Sequence, residues 1–277
     1  MVVAQLQNLY AQARAFLIRE MAVPNAESIL LGYLDRPDRG PGPRTLRDVY
    51  RGLLDSAQNA NMKRGVVSGS IDGIDALGAV LFAFDPHKTR SVYGLDDVAL
   101  LDAIERTLKP RSRNGIRRTA RSIWPHFCRA ALSGAAFLSQ FESVDDFLSW
   151  ARHFYGDPRS AAALPLLLSE EIHGFGYPLA CDFLKELGFM NYGKPDVHLI
   201  DILTGVGVCP QRASAYQVQK TIVEIAKANQ VTPYHVDKLF WLIGSGRFDR
   251  HPELGTLGSI GRKKRKFIEA FGHIVTS

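Results

Sequence analysis

Apolar residues recur along most of this chain at intervals of three and four, the spacing of helices that bury one face. In residues 1–34, Leu6, Leu9, Tyr10, Ala13, Phe16 and Leu17 fall on one stripe and predict one or two helices. Residues 35–44 are dense in Pro, Gly and charge and read as a loop. A helix is predicted from 45 to about 60. Residues 65–73 are small and polar, a loop or turn whose strand-like feature is Val66-Val67. Residues 74–84 are apolar enough for a buried helix. Asp85-Pro86 and Tyr93-Gly94 read as breaks. A helix over 95–108 would carry Leu95, Val98, Leu101 and Ile104 on one face.

The second half continues the pattern. Helices are predicted at 123–137 and 144–154. Another is predicted at 157–172, with Asp157 as N-cap and Pro158 in its first turn. Leu179, Ala180, Phe183, Leu184 and Leu187 mark the next, which stops at Gly188. Pro195-Asp196 opens a helix bearing Val197, Leu199, Ile200 and Leu203. Two more follow, at 213–228 and from Thr232-Pro233 to Gly244. The fold class expected is all-α. A composition shift at residues 109–121 suggests two domains, 1–110 as an N-terminal helical module and 111–277 as the core.

Between two of these helices stands Gly174-Phe175-Gly176. A tight turn built on two glycines leaves backbone N–H groups pointing outward with no Cβ in the way. At the start of a helix, those groups and the helix dipole suit an anion such as a DNA phosphate. The next helix begins at Asp196, where the dipole favours an ionised carboxylate. A phosphate grip and a nearby anion are the minimum needed for chemistry on a nucleotide. Asp196 also reads as a plain N-cap.

The run Ile172-His173-Gly174-Phe175-Gly176-Tyr177-Pro178-Leu179-Ala180, followed by Pro195-Asp196-Val197-His198-Leu199, resembles the signature of the helix-hairpin-helix base-excision DNA glycosylases. That superfamily pairs a Leu-Pro-Gly-Val-Gly-x-Lys-x-Ala hairpin with a Val-Asp-x-His-Val segment, and here Asp196 lies sixteen residues after Ala180. The resemblance runs from about Ile123 to Phe248. It implies two helical lobes with the hairpin motif and a cleft between them, and cleavage of the N-glycosidic bond of a flipped damaged or mispaired base. It assigns catalysis to Asp196. DNA contacts would fall to Gly174, Phe175, Gly176 and Tyr177, with a base pocket including Gln140, Pro178 and His198. A monovalent cation on the hairpin carbonyls is a further implication.

This chain departs from that signature at two positions. His173 stands where the hairpin has proline. Pro178 stands where the bifunctional members carry the Schiff-base lysine, and proline has no amine to act as that nucleophile. The expectation is a monofunctional glycosylase, with Lys185 and Lys194 as nearby substitutes out of register. The four-cysteine iron–sulfur set of some members is missing: Cys128, Cys181 and Cys209 are three and far apart, which fits separate thiols in a reducing compartment. No other cofactor is expected. His173, His198 and Asp201 could be drawn together as a metal site, but their spacing does not call for one.

The net charge of +6 favours a polyanionic partner, here double-stranded DNA. Residues 109–121 are rich in Lys and Arg and read equally as a solvated connector or a phosphate-contacting surface. Arg262, Lys263 and Lys264 open a five-cation run read as DNA-binding. The chain shows neither a signal peptide nor an apolar run of membrane-spanning length. A monomer is expected, with no membrane partner, in the cytoplasm at the nucleoid or in a nucleus and not secreted. Two rivals stand beside the glycosylase: a non-catalytic helix-hairpin-helix DNA-binding protein, and an all-α protein–protein scaffold.

Overall fold

The computed structural model describes residues 3–35, 42–59, 66–111, 116–119, 122–157 and 159–272. Among them it is all-α, with fourteen α-helices, one 3-10 helix and isolated bridges in place of strands. The chain divides into two units, Met1–Gly40 with Phe189–Ser277, and Pro41–Gly188. The breaks fall at Gly40 and Gly188 and not at the expected residue 110. Helix faces decide which segments pack together, and a shift in composition does not.

The first unit holds α1 (Val3–Met21), α2 (Ala26–Leu34), α11 (Val197–Gly205), α12 (Ala215–Ala228), α13 (Pro233–Ser245) and α14 (Lys264–Phe271). Between α2 and α11 the chain forms the second unit, with α3 (Leu46–Ala57), α4 (Val66–Ser70), α5 (Pro86–Tyr93), α6 (Asp97–Leu108), α7 (Ile123–Leu138), α8 (Val144–Tyr155), α9 (Ala163–Glu171) and α10 (Tyr177–Glu186). The predicted stripe of α1 is buried, and α1 packs on α12, α13 and α14. Phe16 meets the Phe267 ring edge-on at 5.2 Å. Burying a side chain of this size contributes about 1.5–3 kcal/mol, so α1 is part of this core although the chain between them is long. In the second unit α7 is central and packs on α3, α5, α6 and α9. A Cβ added to Gly134 would lie 2.8 Å from Leu53, which is how closely α3 and α7 approach.

Several predicted elements change. Residues 66–70 form α4, not a loop. Residues 74–84 are a 3-10 helix (Ile74–Ala79) and a turn in which Phe82, Ala83 and Phe84 all have positive φ, so no α-helix runs through them. Asp85-Pro86 starts a helix: the Asp85 carboxylate accepts from the Lys88 N–H, and proline suits the first turn. Leu95 and Val98 are 71% and 57% exposed, and the buried face of α6 is Leu100, Leu101 and Ile104. The helix expected from Asp157 begins at Ala163, because the Asp157 carboxylate is taken by the backbone N–H and guanidinium of Arg159. The expectations for Pro158, and for parts of 35–44, 60–65, 109–121 and the last residues, lie outside the described residues.

Candidate functional site

The hairpin belongs to the second unit. Helix α9 ends at Glu171 and α10 starts at Tyr177, leaving five residues to reverse the chain. The turn closes with the Phe175 N–H donating to the Ile172 carbonyl at 3.0 Å. Ile172 and Phe175 are buried, and Phe175 packs edge-on against Phe183 of α10. Gly174 has φ +69°, and a Cβ there would stand 2.2 Å from Nε2 of His126 on α7. Backbone conformation and lack of space both demand glycine. The His173 N–H donates to the Ser133 hydroxyl at 2.9 Å, tying the hairpin to α7. Gly174 and Gly176 are exposed, and among the described residues their N–H groups donate no hydrogen bond.

Two of the residues expected to meet DNA point inward. Phe175 and Tyr177 are buried, and the Tyr177 hydroxyl donates to the Ala162 carbonyl at 3.0 Å. Their side chains brace the turn from below, and it is the backbone that faces solvent. Pro178 is half-buried in the first turn of α10. Lys185 is buried with its ammonium 2.9 Å from the Asp182 carboxylate. Gln140 is exposed in the turn after α7, about 10 Å along the helix axis beyond Ser133, where the hairpin is anchored.

Asp196 belongs to the first unit. It caps α11, its carboxylate accepting from the N–H groups of His198 at 2.8 Å and Leu199 at 3.3 Å. Such bonds favour the ionised form, as the sequence led us to expect, but they do not prevail. Burial and then the Asp237 carboxylate on α13 push the Asp196 pKa above its ordinary value, against the opposing pull of His198 and the helix-end N–H groups. His198 is held below its ordinary pKa by burial, with Lys264 and Arg262 adding to the effect against Asp196. Its Nδ1 is buried with no hydrogen-bond partner among the described residues. Gly244 of α13 lies flat against it: a Cβ on Gly244 would fall 2.5 Å from the His198 Cβ.

Two residues that sequence reasoning missed build this site. Gln219 of α12 is buried and grips the segment before Asp196. Its side-chain oxygen accepts from the Gly193 N–H at 3.2 Å, and its side-chain nitrogen donates to the Asn191 carbonyl at 3.0 Å. Asp237 is also buried, and Gly193 packs so closely that a Cβ there would be 3.2 Å from the Asp237 Cβ. Each is a polar residue on the inward face of its helix, the one signal that could have exposed it.

Most cations of the basic tail form ion pairs within the unit. Lys263 and Lys266 pair with the nearly buried Glu20 of α1 at 3.3 and 2.6 Å, Lys264 with Asp201 of α11, and Arg265 with Glu269. Lys263 and Lys264, read from the sequence as DNA contacts, are thus ion-paired in this structure, while Arg262 is exposed. The three cysteines are separate and buried, and no group of three or more metal-ligating side chains occurs among the described residues. Among those residues no helix is long and apolar enough to cross a membrane.

No protein-family model matches the chain, and no solved structure does. A stretch of it is similar to the 8-oxoguanine DNA glycosylase/AP lyase of Korarchaeum cryptofilum (strain OPF8), 27% identical over 86 residues that make up 29% of this chain and 41% of that protein. The similarity spans less than half of that relative, and it links part of this all-α chain to a DNA glycosylase.

Proposed function

We propose that this protein is a monofunctional DNA glycosylase that releases a damaged or mispaired base from duplex DNA. One observation carries the reading: a turn with two exposed, unbonded glycine N–H groups stands shortly before, in the chain, a half-buried carboxylate that caps a helix. The similarity to a DNA glycosylase supports it.

In this reading the Gly174 and Gly176 N–H groups hold a backbone phosphate, a contact that positions the strand without reading sequence. Of the hairpin carbonyls, those of Ile172 and Gly176 accept bonds within the chain. Those of His173 and Gly174 are left to hold a monovalent cation, which would add positive charge beside the phosphate. The target nucleotide leaves the stack. As its C1′–N bond breaks, the bonding pair departs with the base and the sugar gains oxocarbenium character. The Asp196 carboxylate stabilises that charge and orients the water whose oxygen bonds to C1′; that water gives up a proton, and the departing base takes one up. The product is an abasic site.

The relative's name includes a lyase activity. Here position 178 carries no amine, and the Lys185 ammonium is buried against Asp182. Neither supplies a Schiff-base amine, Lys194 stands out of register with position 178, and in this reading the strand is left intact. A panel of duplexes, each with one lesion, tests this under single turnover. At least one lesion should yield strand breaks after alkali and none without it, and borohydride should trap no covalent complex. Duplex binding without base release from any lesion would instead favour a non-catalytic DNA-binding protein.

A further inference from the structure

The cations that the sequence offered for DNA are largely spoken for. Lys263, Lys264 and Lys266 are in ion pairs, and Arg118 is bound by Asp102 and Glu105. The hairpin has a different resource. His126 reaches out from α7 so that its Nε2 occupies the space a side chain on Gly174 would need. His173 rides on the turn itself, exposed, with its ring centroid 5.1 Å from that of His126. Its backbone is fixed by the bond to Ser133. Two imidazoles and two unbonded glycine N–H groups therefore share one solvent-facing corner of the second unit.

We propose that His126 and His173 join Gly174 and Gly176 in a phosphodiester-binding site that takes up protons when DNA occupies it. The inference rests on the DNA reading above and adds to it two side chains and a proton. In the free protein both imidazoles are held below their ordinary pKa. Burial is the main cause for each; His173 and Arg129 add to it for His126, and Arg129 for His173, with Asp97 opposing. Arg129 lies 3.7 Å from Asp97 of α6, so the charged groups facing the pair are that ion pair and each other. Glu170 and Glu171 end the preceding helix and are exposed.

A phosphate reverses this balance. An anion within reach of an imidazole favours the imidazolium and raises its pKa, and each imidazolium donates a charge-assisted bond to a phosphate oxygen. Between the lowered pKa of the free protein and the raised pKa of the complex, binding takes up protons. The complex then tightens as pH falls. Below the free-protein values the histidines are already charged and the dependence ends.

The test is the affinity for a short undamaged duplex, measured by fluorescence anisotropy at fixed ionic strength from about pH 5.5 to about pH 8, the range in which histidine charge changes. In the wild type the dissociation constant should fall by at least roughly threefold per pH unit on acidification, about tenfold being the limit for each proton taken up. His173→Asn changes an exposed side chain and should flatten the slope without harming the fold. His126→Gln with His173→Asn should remove most of it, the other histidines being common to all variants. Calorimetry in buffers of different ionisation enthalpy should count the protons taken up by the wild type and fewer in the variants. Equal slopes in wild type and both variants would overturn the proposal while leaving DNA binding in place. Absence of duplex binding at every pH would overturn the DNA reading and this site with it.

Discussion

Asp196 is asked to do two things that conflict. Its carboxylate caps α11, and it stands half-buried, where loss of solvent and then the Asp237 carboxylate raise its pKa. A raised pKa means that the folded state holds this proton more tightly than the unfolded chain does. Stability is then lost as pH rises from the ordinary value of 3.8 through the raised one, and it stays lost at neutral pH. Asparagine keeps the cap without the charge. Asp196→Asn should therefore melt at or above the wild-type temperature at pH 7 while releasing no base and still binding DNA, and its advantage should vanish below 3.8. A lower Tm at pH 7, seen by calorimetry, would contradict this. In the proposed glycosylase reading base release needs the ionised carboxylate, so its acid limb should lie above 3.8. Asp237→Asn removes the neighbouring negative charge and should move that limb to lower pH in a single-turnover profile.

At the scale of elements, the segment that delivers Asp196 to α11 is held from α12 and α13. Gln219 satisfies one backbone donor and one backbone acceptor of that segment. Gln219→Leu would leave both unpaired, a loss of about 1–3 kcal/mol for each group that stays out of water. Chemical denaturation should show that loss, and base release should fall further than DNA affinity does. If the two fall together, Gln219 supports only the fold. The hairpin shows the complementary arrangement. Its turn is shaped from within by Phe175 and Tyr177, and its tightest contact is made by a histidine of another helix. The spacing of Gly174 and Gly176 was legible because a turn is a local object. His126, Gln219 and Asp237 were not, because nothing near each of them in sequence says which segment it will face.

At the scale of the whole molecule, the second unit is one continuous stretch and the first is made of two. Helices α12, α13 and α14 bury their apolar faces partly on α1. Residues 42–188 alone should then show helical circular dichroism and a cooperative melt, whereas residues 189–277 alone should not. Adding a peptide of residues 3–35 to the latter should restore helicity. A cooperative melt of 189–277 by itself would show that α1 is dispensable to that core. The net charge of +6 acts at this scale as well. With most of the tail lysines paired internally, the charge in the DNA reading would raise the encounter rate more than it supplies fixed contacts.

The amino-acid order by itself determined the all-α class and the majority of helix positions, because both follow from interactions within three or four residues. The apolar stripe of α1, the cap at Asp196, the Thr232-Pro233 helix start and the glycines of the turn all belong to that range. Where apolar and turn-forming residues mix, as at 66–93, local rules competed and the outcome differed. Tertiary structure alone decided that Glu20 would bind Lys263 and Lys266, that Asp237 would raise the pKa of Asp196, and that His126 would press on Gly174. Burial and Coulomb interaction depend on distance in space, and distance along the chain does not set it.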